Sequence, residues 1–448
     1  MTAWSSTLAE AVEVRPGVVR GRLRVPPSKS VSHRQLALAL LARSPVEVRN
    51  LLRAEDVDLF LAALRAMGWT VEERGEGADI DAGDGGRTVR LAPGPPPAAA
   101  TLECGNAGTL MRFLVALAAT VPGSWSLDGT PRLRERPVGP LVAALQALGV
   151  AVTWHGREGY PPLTVAGDTF RGGETTIDAG ESSQYLSALL LAALGGREPT
   201  RVRVMALTSA PYVDVTLQLI ARWGGRVEAS AGAFAVTPGL RAPLVEVDVE
   251  GDYSAAAYPA AAAALTDGEV TLRGLRRESA QGDRAFLDVL RRMGAEVSWQ
   301  GDELRVAGVG ALTAVDIDMA SMPDQVPTLA ALAPFARGTT TIRNVLHLRI
   351  KESDRLAAMA CELRRADAEV EELADGLVIP GIWADVATSD LPREPVIVDP
   401  HGDHRIAMSM ALVGLRRPGL RIAHPEVVGK SYPRFWDDLS ALCGKEAG

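Results

Sequence analysis

The chain has 448 residues, with 47 basic against 55 acidic side chains and a formal net charge of −8. That length is too great for one compact core and comfortable for two, and the acidic balance excludes a global attraction to nucleic acid or anionic membrane. Three widely spaced cysteines, Cys104, Cys361 and Cys443, make neither a disulfide framework nor a paired-cysteine zinc motif, which fits a reducing compartment.

The opening stretch MTAWSSTLAEAVEV lacks an apolar signal core, so a cytoplasmic location is expected. No apolar run approaches the ~20 residues that span a bilayer. Residues 18–25 read as a first strand. SKSVSHRQLALALLA, from Ser28, is a polar cluster followed by a helix that is apolar nearly all round. Val57, Phe60, Leu64 and Met67 then mark an amphipathic helix that ends at Gly68 and runs into a strand. The alternation continues with GNAGTLMRFLVALAA from Gly105, and then with an amphipathic helix carrying Val138, Leu141, Leu145 and Leu148 that ends at Gly149. ESSQYLSALLLAAL follows from Glu181, GDYSAAAYPAAAAAL from Gly251, and a helix ending at Gly294. MPDQVPTLAALAPFA starts at Met322, and the amphipathic helix after it has Asp367 where the others have Gly. GDHRIAMSMALVGL, from Gly402, is the last of the apolar helices.

The polar clusters recur every ~70–80 residues, six times in all, so each repeat holds one buried helix, one amphipathic helix and several short strands. Six such units divide naturally into two domains of three. The fold class is therefore α/β (α+β), with residues 26–240 in one domain and residues 1–25 and 241–448 in the other. The crossings are expected near Val25 and Arg241. A solenoid is the alternative reading of the periodicity, but the clusters differ in chemistry and solenoid repeats are usually shorter.

The unusual polar residues sit at helix beginnings, where free N–H groups and the positive end of the helix dipole favour anions. Lys29, Ser30 and Arg34 begin one helix; Asn106, Thr109 and Arg112 another; Ser182, Ser183 and Gln184 a third. Asp324, then Asp403, His404 and Arg405, occupy the later repeats, while RLRERPVG, RIKESDR and VVGKSYP add Arg136, Lys351, Glu352, Arg355 and Lys430. Taken singly, SKS is an ordinary N-cap and RLRERP a solvated charge run. DPHGDHR suggests a metal through Asp399, His401, Asp403 and His404, but no further His or Cys lies close in sequence to support one. GKS at Gly429 lacks the first glycine of a phosphate-binding P-loop, where His424 stands.

Together, SKSVSHR, GNAGTLMR, LDGTPRLRERPVGPL, SSQYL, SAPYVDVT, VEGDYSAAAY, MPDQ, RIKESDRL, DHRIAM and GKSYP resemble the 5-enolpyruvylshikimate-3-phosphate (EPSP) synthase family, in order, from about Arg22 to Trp436. The resemblance implies two domains, each of three βαβαββ units, that close on substrate in a chain that is generally monomeric. It implies that shikimate-3-phosphate is held by Lys29, Ser30, Arg34, Ser182, Ser183, Gln184, Ser209, Tyr212, Asp324 and Lys351. It likewise implies that phosphoenolpyruvate is held by Lys29, Gly108, Arg136, Gln184, Arg355, His404, Arg405 and Lys430. Asp324, Glu352 and Lys29 are the catalytic candidates for proton transfer, and no metal or organic cofactor is required. His347, Leu110, Phe113 and Pro27 depart from common family residues, which leaves one phosphate contact and sensitivity to the herbicide glyphosate open.

The chemistry suits these residues. Two substrates bearing phosphates and carboxylates need a matching set of Lys and Arg, because a buried unpaired ion costs several kcal/mol, and Arg binds planar anions through two parallel hydrogen bonds. A UDP-N-acetylglucosamine enolpyruvyl transferase usually opens with Lys-Asn and carries a reactive cysteine in the loop before the matching Arg-Pro; here the opening is Lys29-Ser30 and no cysteine lies between Cys104 and Cys361. An RNA-end-processing protein of related repeats would favour a basic groove and a nucleotide loop.

Overall fold

A computed structural model describes residues 11–74, 86–240 and 244–444. The expected crossing residue Arg241 and the opening residues 1–10 lie outside these. The chain forms two compact units, Pro27–Glu250 as one and Met1–Pro26 with Gly251–Gly448 as the other. The second crossing therefore comes about ten residues later than expected, because Glu246–Asp248 still pairs in parallel with Val46–Leu52 of the first unit.

The Pro27–Glu250 unit contains helices α1 (Lys29–Ala42), α2 (Glu55–Ala66), α3 (Gly108–Ala118), α4 (Gly139–Ala147), α5 (Ser183–Ala193) and α6 (Pro211–Arg222). Three four-stranded sheets share one pattern, a parallel pair followed by an antiparallel hairpin. In one, Ala99–Glu103 pairs in parallel with Ser124–Asp128, which pairs antiparallel with Leu163–Ala166 and through it with Val152–Trp154. Each βαβαββ repeat thus supplies one sheet, one central helix and one outer helix. The central helices α1, α3 and α5 pack against one another. Small Ala and branched Leu on every face permit this; Leu36, Leu114 and Leu189 are fully buried.

The other unit holds α7 (Tyr253–Leu265), α8 (Phe286–Arg292), α9 (Val326–Leu332), α10 (Arg355–Arg365), α11 (His404–Gly414) and α12 (Phe435–Leu442). Its central helices are α7, α9 and α11, again in mutual contact. The N-terminal strand Arg20–Arg24 pairs in parallel with Glu269–Arg273 and so supplies the first strand of that repeat. Two details depart from the simple repeat. The apolar run from Met322 breaks into a 3-10 turn, the short α9 and a second 3-10 turn, because Pro327 and Pro334 each remove a backbone donor. The last sheet has three strands, with Val12–Val14 added antiparallel to Leu420–Ile422, which pairs in parallel with Val396–Val398. Among the described residues no helix is long and apolar enough to cross a membrane.

Candidate active site

Several polar residues at helix starts are caps first. The side chains of Ser28, Ser182, Asp252 and Asp403 accept hydrogen bonds from backbone N–H groups of α1, α5, α7 and α11. Each such cap contributes about 1 kcal/mol. Capping by Ser28 leaves its neighbours Lys29 and Ser30 on the first turn of α1, where their side chains answer to other partners.

In the Pro27–Glu250 unit, the Lys29 ammonium pairs with the buried carboxylate of Asp56, 3.1 Å away. Arg34 is 1% exposed, and its guanidinium is oriented by fixed neutral partners. Its Nε donates to Thr216 Oγ1 at 2.8 Å, while Nη1 and Nη2 each donate at 2.9 Å to the carbonyls of Ser30 and Tyr212. The Phe113 ring lies 5.4 Å from its guanidinium, so this departure from the common family residue contributes a cation–π contact. α1 and α6 thereby bring Ser30, Arg34 and Tyr212 together, with Ser209 at the turn into α6 in a left-handed conformation, φ +51°. A second group forms at the starts of α3 and α5. Gln184 donates to Thr109 Oγ1 at 2.9 Å and accepts from Arg112 at 2.6 Å. The buried Arg136 lies directly against Gly108, where any Cβ would stand 2.3 Å from its Nη2. Glycine is therefore required for that guanidinium to reach the beginning of α3. Ser182 and Ser183 are buried beside this group at the start of α5.

The Gly251–Gly448 part gathers the carboxylates. Arg355 is 2% exposed and donates to three of them: Asp324 at 2.9 Å, Glu352 at 2.9 Å and Asp403 at 2.7 Å. Arg405 donates to the other oxygen of Asp324 at 2.7 Å. Burial alone would push the Asp324 carboxyl upward, but Arg405, Arg355 and Lys351 together outweigh it and hold the group well below the usual carboxylate range. Arg355 is held above its ordinary value, the three carboxylates overcoming the desolvation that opposes them. His404 is fully buried at the first position of α11, its Nδ1 3.5 Å from Asp403 Oδ1. Lys430 is buried at the end of the 3-10 helix Pro425–Lys430, which packs on α11. His347 lies beside this group; burial, then Lys351, lowers its pKa to about 4. It therefore stays neutral near pH 7.

Each unit thus assembles its own part of the expected set. The sequence did not single out Asp56, Thr216 or Asp283 as partners of that set. Asp283 is buried on the turn before α8 and accepts from Gln325 at 2.9 Å; burial, then Asp324, raises its pKa to about 6. An acidic residue in QGDRAF, just ahead of an apolar helix, is the signal that could have pointed to it.

The sequence matches the EPSP synthase (3-phosphoshikimate 1-carboxyvinyltransferase) family over residues 14–439. A relative from Syntrophobacter fumaroxidans, named 3-phosphoshikimate 1-carboxyvinyltransferase, is 43% identical over 426 residues, covering 95% of this chain and 97% of the relative. Another of the same name, from Aliivibrio fischeri, is 39% identical, covering 97% and 99%. Among solved structures, EPSP synthase from Acinetobacter baumannii superposes with a TM-score of 0.79 at 25% identity, covering 97% of this chain and 98% of that one. A family match across nearly the whole length, with relatives of this identity and coverage, means that the chain belongs to the EPSP synthase family.

Proposed function

We infer that the chain transfers the enolpyruvyl group of phosphoenolpyruvate to the 5-hydroxyl of shikimate-3-phosphate and releases phosphate, a step of aromatic amino acid biosynthesis. The observation that carries this reading is Asp324 bridging Arg355 and Arg405, with Glu352 on the same Arg355 guanidinium. A carboxylate held ionised can accept the proton of an attacking hydroxyl, and the guanidinium groups beside it suit a phosphate or carboxylate.

The reaction is addition followed by elimination. The 5-hydroxyl oxygen bonds to C2 of phosphoenolpyruvate, its proton passing to Asp324, while C3 gains a proton from Glu352 or Lys29. In the tetrahedral intermediate the C2–O bond to phosphate then breaks, the departing phosphate taking the proton held by Asp324, C3 returns its proton to the group that gave it, and the double bond is restored. Acid–base catalysis supplies typically ~10²–10⁴-fold, so positioning and electrostatics provide much of the rest. Shikimate-3-phosphate is assigned to Lys29, Ser30, Arg34, Ser182, Ser183, Gln184, Ser209, Tyr212, Asp324 and Lys351. Phosphoenolpyruvate is assigned to Lys29, Gly108, Arg136, Gln184, Arg355, His404, Arg405 and Lys430. The fixed partners of Arg34 and the close fit of Arg136 on Gly108 support these assignments, since both guanidinium groups are oriented before any ligand arrives. The chain is proposed to work as a monomer in the cytoplasm.

The test is phosphate release from phosphoenolpyruvate by purified protein, supplied separately with shikimate-3-phosphate and with UDP-N-acetylglucosamine. Release that requires shikimate-3-phosphate is the expected result. Release only with the nucleotide sugar, or with neither acceptor from folded protein, would overturn the reading.

A further inference from the structure

The metal reading of DPHGDHR found no cysteine close in sequence, yet the fold brings one there. Cys361 and Glu362 lie on α10, and His401 lies on the turn that follows the strand Val396–Val398. Their Sγ, carboxylate oxygen and imidazole nitrogen all fall within 4.8 Å of one another. We propose that Cys361, Glu362 and His401 form a binding site for a divalent ion of the zinc class, outside the residues assigned to the reaction.

The chemistry of the donors selects the ion. A thiolate, an imidazole and a carboxylate together suit Zn²⁺ and its borderline neighbours, whereas Mg²⁺ and Ca²⁺ take oxygen alone. Three protein donors leave a fourth, solvent-facing position, as in open zinc sites.

The geometry is half prepared. Glu362 has a fully buried side chain, unusual for a residue in the middle of a helix. Its Oε2 accepts the Asp399 N–H at 3.1 Å, and its Oε1 meets His401 Nε2 at 3.0 Å and Arg365 Nη1 at 3.4 Å. This carboxylate is therefore fixed and desolvated at the point where the other two donors converge. Cys361 is exposed and the His401 side chain 35% exposed, so both can turn toward an ion while Glu362 stays still. Around a tetrahedral zinc with bonds of ~2.0–2.3 Å the donors stand about 3.3–3.8 Å apart, so the 3.0 Å pair of Glu362 and His401 would widen slightly, while separations toward the 4.8 Å bound would contract by up to roughly 1 Å. On binding, Cys361 releases its thiol proton to solvent. His401 presents its Nε2 lone pair with its proton on Nδ1, and the Nε2 contact to Glu362 gives way to shared coordination. The turn so braced ends at Asp403, which caps α11 and holds Arg355.

The experiment is equilibrium dialysis of the full, reduced chain against Zn²⁺, with Co²⁺ as a spectroscopic substitute. The expected result is one ion per chain and a thiolate-to-cobalt charge-transfer band. Cys361→Ser and His401→Ala should each weaken binding at least about tenfold, the lower end of the loss typical for even an outer-shell partner. Both positions are surface-accessible, and circular dichroism checks that each variant is folded. Absence of stoichiometric uptake, or uptake unchanged in both variants and therefore seated on other surface groups such as His424, would overturn the proposal.

Discussion

Arg355 accounts for much of what the candidate site can do. It donates four hydrogen bonds to Asp324, Glu352 and Asp403, so one buried guanidinium fixes the positions of three carboxylates. Glu352→Gln keeps the shape and a hydrogen-bonding oxygen but removes the ability to hand over a proton. It is expected to lower turnover by about 10²–10⁴-fold while leaving shikimate-3-phosphate affinity within a few-fold. Steady-state phosphate release and a direct binding titration measure the two effects separately, and near-normal turnover would remove Glu352 from the mechanism. The cations of this site were legible in the sequence because Lys and Arg at helix starts stand out. Their internal partners were not. Lys29 is matched by Asp56, and Arg355 and Arg405 share Asp324, so matching cations directly to substrate charges overstates the surplus offered to ligand. Asp56 escaped notice because nothing in its local pattern distinguishes it from an ordinary first-turn acid, whereas Asp283 carried only the weak signal of an acid just ahead of an apolar helix.

At the scale of elements, glycine at the ends of the outer helices was read from the sequence as a left-handed cap, and Gly68, Gly149 and Gly294 do adopt φ of +93°, +93° and +109°. Asp367, which breaks the pattern, adopts φ +68° all the same. Asp tolerates that region better than most residues, and here its carboxylate accepts from the fully buried Arg417 at 2.9 Å. The substitution thus exchanges backbone ease for an ion pair. The nearest atom to a Cβ at Gly294 would be 3.9 Å away, so Gly294→Ala tests backbone strain alone and should destabilise by about 1–2 kcal/mol. At Gly68 the same Cβ would stand 2.4 Å from the Pro95 carbonyl oxygen, and Gly68→Ala should cost more. Urea midpoints at constant slope read both values, and equal effects would argue against the steric difference. Helix periodicity and caps were readable because they are local. The pairing of Val12–Val14 with Leu420–Ile422, and the breaks around α9, depend on distant partners and on how two prolines are accommodated.

For the whole molecule, pH acts through buried groups of opposite sense. Burial lowers His33 to about 4, so below pH 6.5 the unfolded chain takes up a proton that the folded chain refuses, and stability falls as pH drops toward 4. His347, also lowered to about 4, acts in the same direction. Asp283, raised to about 6, keeps its proton in the fold while the unfolded chain has lost it. Its contribution therefore rises as pH falls from 6 toward 4. His33→Asn should make the acid loss of stability shallower, and Asp283→Asn should make it steeper. Urea midpoints from pH 4 to 7 give the slopes, and parallel curves would contradict both assignments. The order of the chain has a further consequence. Pro27–Glu250 is continuous, and its ends meet where the Ser28 N–H donates to the Glu250 carbonyl at 2.8 Å. The host ends close in the same way, Asp252 N–H donating to the Pro26 carbonyl at 2.8 Å. One unit is therefore spliced into the other as an insertion with adjoining termini, an arrangement that leaves the host's own path unstrained. A ribosome releases the inserted unit whole and early. Strands 12–14 and 20–24, made before the inserted unit, wait until after it for Glu269–Arg273 and Leu420–Ile422. Strands that precede the inserted unit thus find their sheet only after it is complete, and the inserted unit is the part of this chain best suited to fold as it is made.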